Sequence, residues 1–357
     1  MMEKVLMKGT EAIGEAAIRA GCRIYCGYPI TPQSELLAYL AKKMPHIEGA
    51  SFLQSESEVA AINMIYGAAG AGARAMTSSS SPGVSLKQEG ISYIAGAELP
   101  CVIVNASRGG PGLGSIQPAQ SDYFQATKGG GHGDYRLIVL APKSVQEMYD
   151  YTFDAFDLAD KYRTPVMLMC DGALSQLMEP VVLKDIEVKK YEKPWATTGA
   201  KGRKPVLVSS LRIDPADMEK QNDHLFEKYE KIIANEARYE STCNADTEYV
   251  VVAYGIMARI AQTAIKKLRQ EGIEVGLIRP ITLWPFPVQA FDGLRDQAKL
   301  FISLELNKGQ MVEDVRLAVN GKAPVEFYGR SGGMMPKPDE IVEVIKRKIS
   351  GVEKCNK

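Results

Sequence analysis

The sequence is poor in the residues that hold metals and clusters. It has three histidines and six cysteines in 357 residues, and no two cysteines form a Cys-x-x-Cys pair. Zinc and iron–sulfur sites draw several thiolates or imidazoles onto one centre, usually from paired short spacings. Cys22 and Cys26 lie on a short segment, RIYCGY, that reads as a strand, while Cys101, Cys170, Cys243 and Cys355 stand far apart. The expectation is a chain with no metal or cluster of its own, its thiols buried or free and reduced. An excess of charge is missing as well, since 43 Lys and Arg balance 43 Asp and Glu. Phosphate neutralisation demands surplus Lys and Arg, so neither nucleic acid nor an acidic membrane surface is an expected partner. No apolar run approaches the ~20 residues that span a bilayer. The opening segment, MMEKVLMKGTEAIGEAA, lacks the continuous apolar stretch of a secretory signal. A cytoplasmic protein is expected.

What is present is ordinary globular material, 45% hydrophobic and 24% charged, in a length that suggests two domains. Over residues 1–182 short apolar strands alternate with helical patterns. Strands are predicted at 23–27, 51–54, 74–78, 101–107, 137–141 and 165–170, with helices at 9–20, 32–44, 56–69, 83–96 and 144–160 between them. That alternation predicts an α/β fold, a doubly wound parallel sheet covered on both faces, whose binding crevice lies at the carboxyl ends of the strands. Residues 183–246 differ, and their charged helical stretch reads as a solvated linker helix. Alternation resumes in 247–357, a second, smaller α/β domain with strands at 249–255, 274–279, 299–304 and 324–328. Its helices are predicted at 257–270, 287–295, 309–319 and 338–348.

Several loops invite a chemical reading. Gly67, Gly70 and Gly72 follow a helix and precede a strand, the reverse of a dinucleotide fingerprint, and read as a helix end and tight turn. SRGGPGLGS follows a strand, but no helix opens within it and no acidic residue ends the following strand. A nicotinamide dehydrogenase is therefore an outside reading. In YPITP, Pro29 and Pro32 stiffen a strand-to-helix turn, and Thr31 either caps the helix or offers donors to a carboxylate or phosphate. Ser55-x-x-Glu58 fits a capping box, yet Glu58 precedes the uncharged run VAAINMIYGAAGAGA, where a carboxylate entering an apolar contact could donate a hydrogen bond or proton. Arg108, at the end of CVIVNAS, either grips a substrate carboxylate or pairs with a surface acid. The hydroxyls of TSSSSPG stand at a strand end and helix start, where they can cap.

In this order, CGYPITP (26–32), QSESEVAAINMIYGA (54–68), RAMTSSSSPG (74–83) and NASRGGPGLGSIQPAQSDYFQAT (105–127) resemble the alpha subunit of the 2-oxoacid:ferredoxin oxidoreductases. VVVAYG (250–255), IRPITLWPFP (278–287) and LELNKGQM (304–311) extend the resemblance over nearly the whole chain apart from the linker, and it looks closest to the branched-chain, 2-ketoisovalerate type. The resemblance implies a pyrimidine-type thiamine diphosphate-binding domain at 1–182, followed after the linker by a transketolase C-terminal-like domain at 247–357. It implies that Glu58 is catalytic, bonding N1′ of the aminopyrimidine and favouring the imino tautomer that deprotonates thiazolium C2. Thr31 and Arg108 match positions that hold the substrate carboxylate, and Tyr28, Pro29, Glu58, Ser79 and Ser80 match cofactor-contacting positions. A 2-oxoacid would be decarboxylated, coenzyme A would take the acyl group, and electrons would pass to iron–sulfur clusters and ferredoxin.

Two departures stand out. Ser81 occupies a position where many relatives carry glycine. The Gly-Asp-Gly…Asn signature that holds magnesium and diphosphate is missing, the nearest approach being CDGA at 170–173. The expectation is a shared cofactor, with a beta subunit supplying the magnesium–diphosphate half and gamma and delta subunits among the cluster-bearing partners. Rival readings are the same subunit acting on 2-oxoglutarate or pyruvate, and a non-catalytic assembly subunit. Arg279, Glu305 and Asn307 form no reactive set, which assigns the second domain a structural and assembly role.

Overall fold

The structure, a computed structural model, describes residues 4–184 and 186–355. The chain opens with β1 (Lys4–Lys8), α1 (Gly9–Arg19), β2 (Ile24–Gly27), α2 (Ser34–Lys43), β3 (Ser51–Gln54), α3 (Glu58–Gly70), β4 (Ala75–Ser79), α4 (Ser81–Gly96) and β5 (Cys101–Ser107). A long loop carrying α5 (Tyr123–Thr127) leads to β6 (Ile138–Leu140), α6 (Val145–Tyr162), β7 (Pro165–Asp171), α7 (Gly172–Gln176) and β8 (Met178–Val182). Next come α8 (Pro215–Glu236), β9 (Tyr239–Ser241), β10 (Tyr249–Val252), α9 (Gly255–Gln270) and β11 (Gly276–Pro280). The chain closes with β12 (Thr282–Trp284), β13 (Leu300–Glu305), α10 (Met311–Val319), β14 (Val325–Gly329) and α11 (Pro338–Cys355).

The larger sheet runs β12-β6-β7-β5-β4-β2-β3 and the smaller β14-β13-β10-β11-β9, while β1 and β8 form a separate antiparallel pair. Strands β2 to β7 of the larger sheet pair in parallel. Its two central strands, CVIVNAS and PVMLMCD, are buried along their whole length, as a sheet covered on both faces requires. The alternation read from the sequence is thus a pair of doubly wound sheets. Each also accepts a short antiparallel edge strand that the apolar pattern did not announce. β12 joins β6 of the larger sheet and β9 joins β11 of the smaller.

Four local expectations are corrected. The helix expected at 287–295 is two short 3₁₀ turns, Val288–Phe291 and Leu294–Asp296, interrupted by Gly293 at φ 77°. The capping box expected from Ser55 does not form. Ser57 is the N-cap of α3, its hydroxyl accepting from Ala60 N at 3.1 Å, and Ser55 donates to Gly27 O. Thr31 is not a cap either, because α2 begins at Ser34 with Gln33 before it. The charged helix α8 is solvated on one side only. Leu225, Tyr229 and Ile232 bury its other face in the core of the larger sheet. Among the described residues no helix is long and apolar enough to cross a membrane.

Two devices join the sheets. Gln120 enters the crevice where the smaller sheet reverses its winding, between the ends of β10 and β13. Its Nε2 donates to Tyr254 O (2.9 Å), and its Oε1 accepts from Leu306 N (3.1 Å). Its backbone N–H donates to Leu306 O (3.0 Å), and its carbonyl accepts from Asn307 Nδ2 (2.8 Å). Arg279, 0% exposed, reaches from β11 to both oxygens of Glu147 on α6 at 3.0 Å and to Glu240 on β9. Glu305 turns inward, its carboxylate accepting from the backbone N–H groups of Gln310, Met311 and Val312 at the start of α10. The acids that meet the buried guanidinium stay partly exposed, and Glu240 also pairs with Lys143, so removing the arginine forfeits hydrogen bonds without stranding a buried charge. Arg279→Met is expected to cost about 2 kcal/mol, seen as a lower urea midpoint; a midpoint equal to the parent's would contradict this account.

Candidate active site

The winding of the larger sheet fixes where its crevice opens. The chain passes from β2 outward to β3, then returns to place β4 on the other side of β2. Loops on either side of such a reversal diverge and leave a cleft at the strand carboxyl ends. The register brings those ends level, with Gly27 beside Gln54, Ser79 beside Asn105 and Ser107 beside Asp171. Tyr28, Pro29 and Thr31 follow β2, Glu58 opens α3 just after β3, Ser79 closes β4 with Ser80 after it, and Arg108 follows β5.

The side chains form two groups. Glu58 is 6% exposed, and its carboxylate lies against α4. A Cβ placed on Gly83 would stand 2.5 Å from Glu58 Oε1 and 2.1 Å from Ser79 Oγ, so only glycine lets these two groups approach the helix. Ser79 Oγ is buried and finds no hydrogen-bond partner. Beneath them lies Lys87, fully buried, whose Nζ donates to Thr77 Oγ1 at 2.5 Å. Burial pushes the Lys87 ammonium down to about 7, against the attraction of Glu58.

The second group is built on Arg108, also 6% exposed. Its Nη1 donates to Thr31 O (3.0 Å) and its Nη2 to Leu113 O (3.2 Å), tying the YPITP loop to the glycine-rich loop, while Nε is buried without a partner. Ser81 accepts from Arg108 N (2.9 Å) and donates to Asp122 Oδ2 (2.6 Å), which Asn105 Nδ2 also reaches (3.0 Å). Burial raises the Asp122 carboxyl above its ordinary value, and the hydrogen bonds from Ser81 and Asn105 pull it back. Ser80 is turned away, its hydroxyl donating to Ala106 O, and Tyr28 and Thr31 lie exposed at the rim.

Lys87 and Asp122 were not singled out by the sequence reading. The available signal was a lysine on the apolar side of GVSLKQEGISYIAG, where every fourth residue faces the sheet. Asp171, the acid of CDGA, is committed elsewhere, accepting from Leu174 N (2.9 Å) and Ile256 N (3.0 Å). Cys22 and Cys101 are buried thiols pushed up to about 12 by desolvation.

Residues 15–242 match the model of the thiamine diphosphate-binding domain of pyruvate flavodoxin/ferredoxin oxidoreductases, and residues 247–341 match core domain II of pyruvate:ferredoxin oxidoreductase. The chain belongs to this oxidoreductase family. It is 50% identical over 351 residues to a ketoisovalerate oxidoreductase subunit, VorB, of Methanothermobacter thermautotrophicus, covering 98% of this chain and 99% of the relative. It is 35% identical over 368 residues to a 2-oxoglutarate synthase subunit, KorA, of Methanocaldococcus jannaschii, covering 96% and 100%. Its fold matches the 2-oxoglutarate:ferredoxin oxidoreductase of Magnetococcus marinus, solved with 2-oxoglutarate, coenzyme A and succinyl-CoA, with a TM-score of 0.86 at 28% identity; the match covers 98% of this chain and 66% of that one.

Thiamine diphosphate is the cofactor bound by the family's first domain, and the residues present fit its aminopyrimidine half. A buried carboxylate, an unpartnered hydroxyl and a glycine that leaves their approach open make a polar cradle at the cleft. The CDGA carboxylate is committed within the fold, where it caps α7 and meets the start of α9.

The burial of Lys87 gives a pH signature. Its proton is held to about pH 7 in the fold, against an ordinary value of 10.5 in the open chain. The folded chain therefore binds fewer protons between those limits, so this contribution to stability rises with pH across the window and the burial cost is complete below it. Lys87→Met is expected to stabilise the chain by roughly 5 kcal/mol at pH 6 and by little at pH 10, on about 1.4 kcal/mol per pH unit. Urea unfolding of both proteins across that range measures it, and a pH-independent difference would refute it.

Proposed function

We propose that this chain is the alpha subunit of a cytoplasmic 2-oxoacid:ferredoxin oxidoreductase that converts 2-ketoisovalerate and coenzyme A to the acyl-CoA, carbon dioxide and reduced ferredoxin. The observation that carries the branched-chain reading is the much higher identity to the ketoisovalerate subunit than to the 2-oxoglutarate subunit, both across nearly full length. Pyruvate and 2-oxoglutarate are the rival substrates of the same reading.

In this proposal Glu58 holds the hydrogen bond to N1′ of the aminopyrimidine and keeps a proton between its carboxylate and that nitrogen. When bound, thiamine diphosphate supplies the nucleophilic carbon and the electron sink for decarboxylation. Ser79 offers a buried hydroxyl beside Glu58, while Tyr28 and Pro29 wall the rim and limit water. Ser80 anchors the end of β4 behind them. Arg108 meets the substrate carboxylate with the N–H groups not spent on Thr31 O and Leu113 O, Nε among them, and the Thr31 hydroxyl completes the grip.

Partners complete the enzyme. A beta subunit supplies the magnesium–diphosphate half, and gamma and delta subunits carry the iron–sulfur clusters that pass electrons to ferredoxin. Supporting this is α3, which is apolar on its outward side as well, with Val59 and Met64 exposed. A helix apolar all round is ordinarily covered. The absence of paired cysteines in the sequence supports clusters on other chains.

The complex purified through this chain from its native cells is expected to contain a partner bearing Gly-Asp-Gly…Asn and another bearing Cys-x-x-Cys motifs. Its kcat/KM is expected to favour 2-ketoisovalerate over 2-oxoglutarate by about tenfold or more, the factor that about 1.4 kcal/mol of side-chain recognition provides. Within it, Glu58→Ala should lower kcat by roughly 10²–10⁴, and Arg108→Ala should raise KM for the oxoacid. Unchanged turnover in Glu58→Ala would favour the non-catalytic assembly reading, and activity with NAD by the chain alone would overturn the family's chemistry for it.

A further inference from the structure

Lys87 is a fully buried charge that the reaction as described leaves without a task. Its surroundings are narrow. Thr77 and Ser79 alternate to the same face of β4, and Gly83 and Lys87 share one face of α4. These two faces meet in two successive contacts. At the mouth, Ser79 and the Glu58 carboxylate crowd the Cα of Gly83. One helical turn inward, the Lys87 ammonium meets the Thr77 hydroxyl. The titratable groups facing the ammonium are Glu58 from α3, Cys26 from β2 and Cys101 from β5, and Glu58 has the largest electrostatic influence among them. Both thiols are raised by burial and stay neutral, which leaves Glu58, among the described residues, as the one negative charge that faces Lys87.

We infer that Lys87 is a positioning residue, a buried cation that fixes the charge on Glu58 from behind and so favours the proton on the far side of the Glu58 hydrogen bond. A positive charge beneath a carboxylate stabilises its ionised form, and the shared proton then resides with the partner in the cleft. A methionine there would fill the space and withdraw that bias. The inference builds on the assignment of Glu58 to N1′, but the placement of Lys87 one helical turn below the contact of Glu58 with Gly83 is a property of the chain itself. Because the ammonium loses its proton at about 7, the bias is present in mildly acidic solution and fades as pH rises.

Two measurements test it. In the full chain carrying ¹³C-lysine, with the Lys87 resonance assigned by its loss in Lys87→Met, the titration midpoint is expected to fall by about one pH unit in Glu58→Gln. That follows from removing a charge worth about 1.4 kcal/mol of interaction. A midpoint that does not move would overturn the pairing, whether or not Glu58 is catalytic. In the assembled enzyme, the ratio of parent to Lys87→Met kcat/KM should be about tenfold at pH 6 and approach one above pH 8. A merely structural lysine would give a ratio independent of pH, and that result would overturn the role. Should Lys87→Met fail to assemble, Thr77→Val, which removes only the hydroxyl, is expected to lower the same NMR midpoint. Should Glu58→Gln retain full turnover while the midpoint still falls, the reading of Glu58 fails and the pair stands.

Discussion

A charge taken out of water needs a partner, and the larger sheet buries Glu58, Lys87, Arg108, Asp122 and Asp171 among its strand ends. Each solves the problem differently, and the differences sort structure from chemistry. Asp171 is met by two backbone N–H groups and has little left to offer. Arg108 satisfies two of its N–H groups on loop carbonyls and keeps Nε unmet. Glu58 and Lys87 are compensated least by hydrogen bonds, and they lie at the cleft between β2 and β4. Incomplete compensation of this kind is what makes the cleft a candidate binding site.

Ser81 shows how a small departure is absorbed. Its hydroxyl accepts from the backbone of Arg108 and donates to Asp122, so it braces the residue that leads the glycine-rich loop. Gly83, two positions on, is glycine for the opposite reason, because any side chain there would displace the Glu58 carboxylate. Neighbouring positions on one helix start thus carry a hydroxyl for rigidity and a bare Cα for access.

The sequence displayed the winding of both sheets because parallel strands are apolar along their length and helices separate them, as CVIVNAS and PVMLMCD illustrate. Strands that pair at an edge need no such run. TLW and YES carry only three residues each and were invisible. Thr31 and Arg108 drew notice because proline and glycine crowd the loops after their strands, and Glu58 because a carboxylate precedes a long uncharged run; their roles followed only from the family resemblance. The capping of α3 was misread by two residues, since Ser55 and Ser57 are equally good caps by type and only the path of the chain out of β3 decides between them. Lys87 was hidden in a helix whose pattern is apolar toward the sheet, where one ammonium reads as noise in the periodicity. The proximity of Lys87 to Glu58 depends on α3 and α4 packing side by side, a tertiary fact that no spacing along the chain encodes.

Gln120 has a mechanical consequence. Its amide and its own peptide group together make four hydrogen bonds across the two units, as an extra piece of β-strand would. The reversal point of the smaller sheet is therefore a socket already filled from within the same polypeptide. Hinging the two units apart would break all four bonds at once and expose their buried partners to one another's absence. The two units are thereby geared together, and a hinge between them is not a motion this chain can make cheaply.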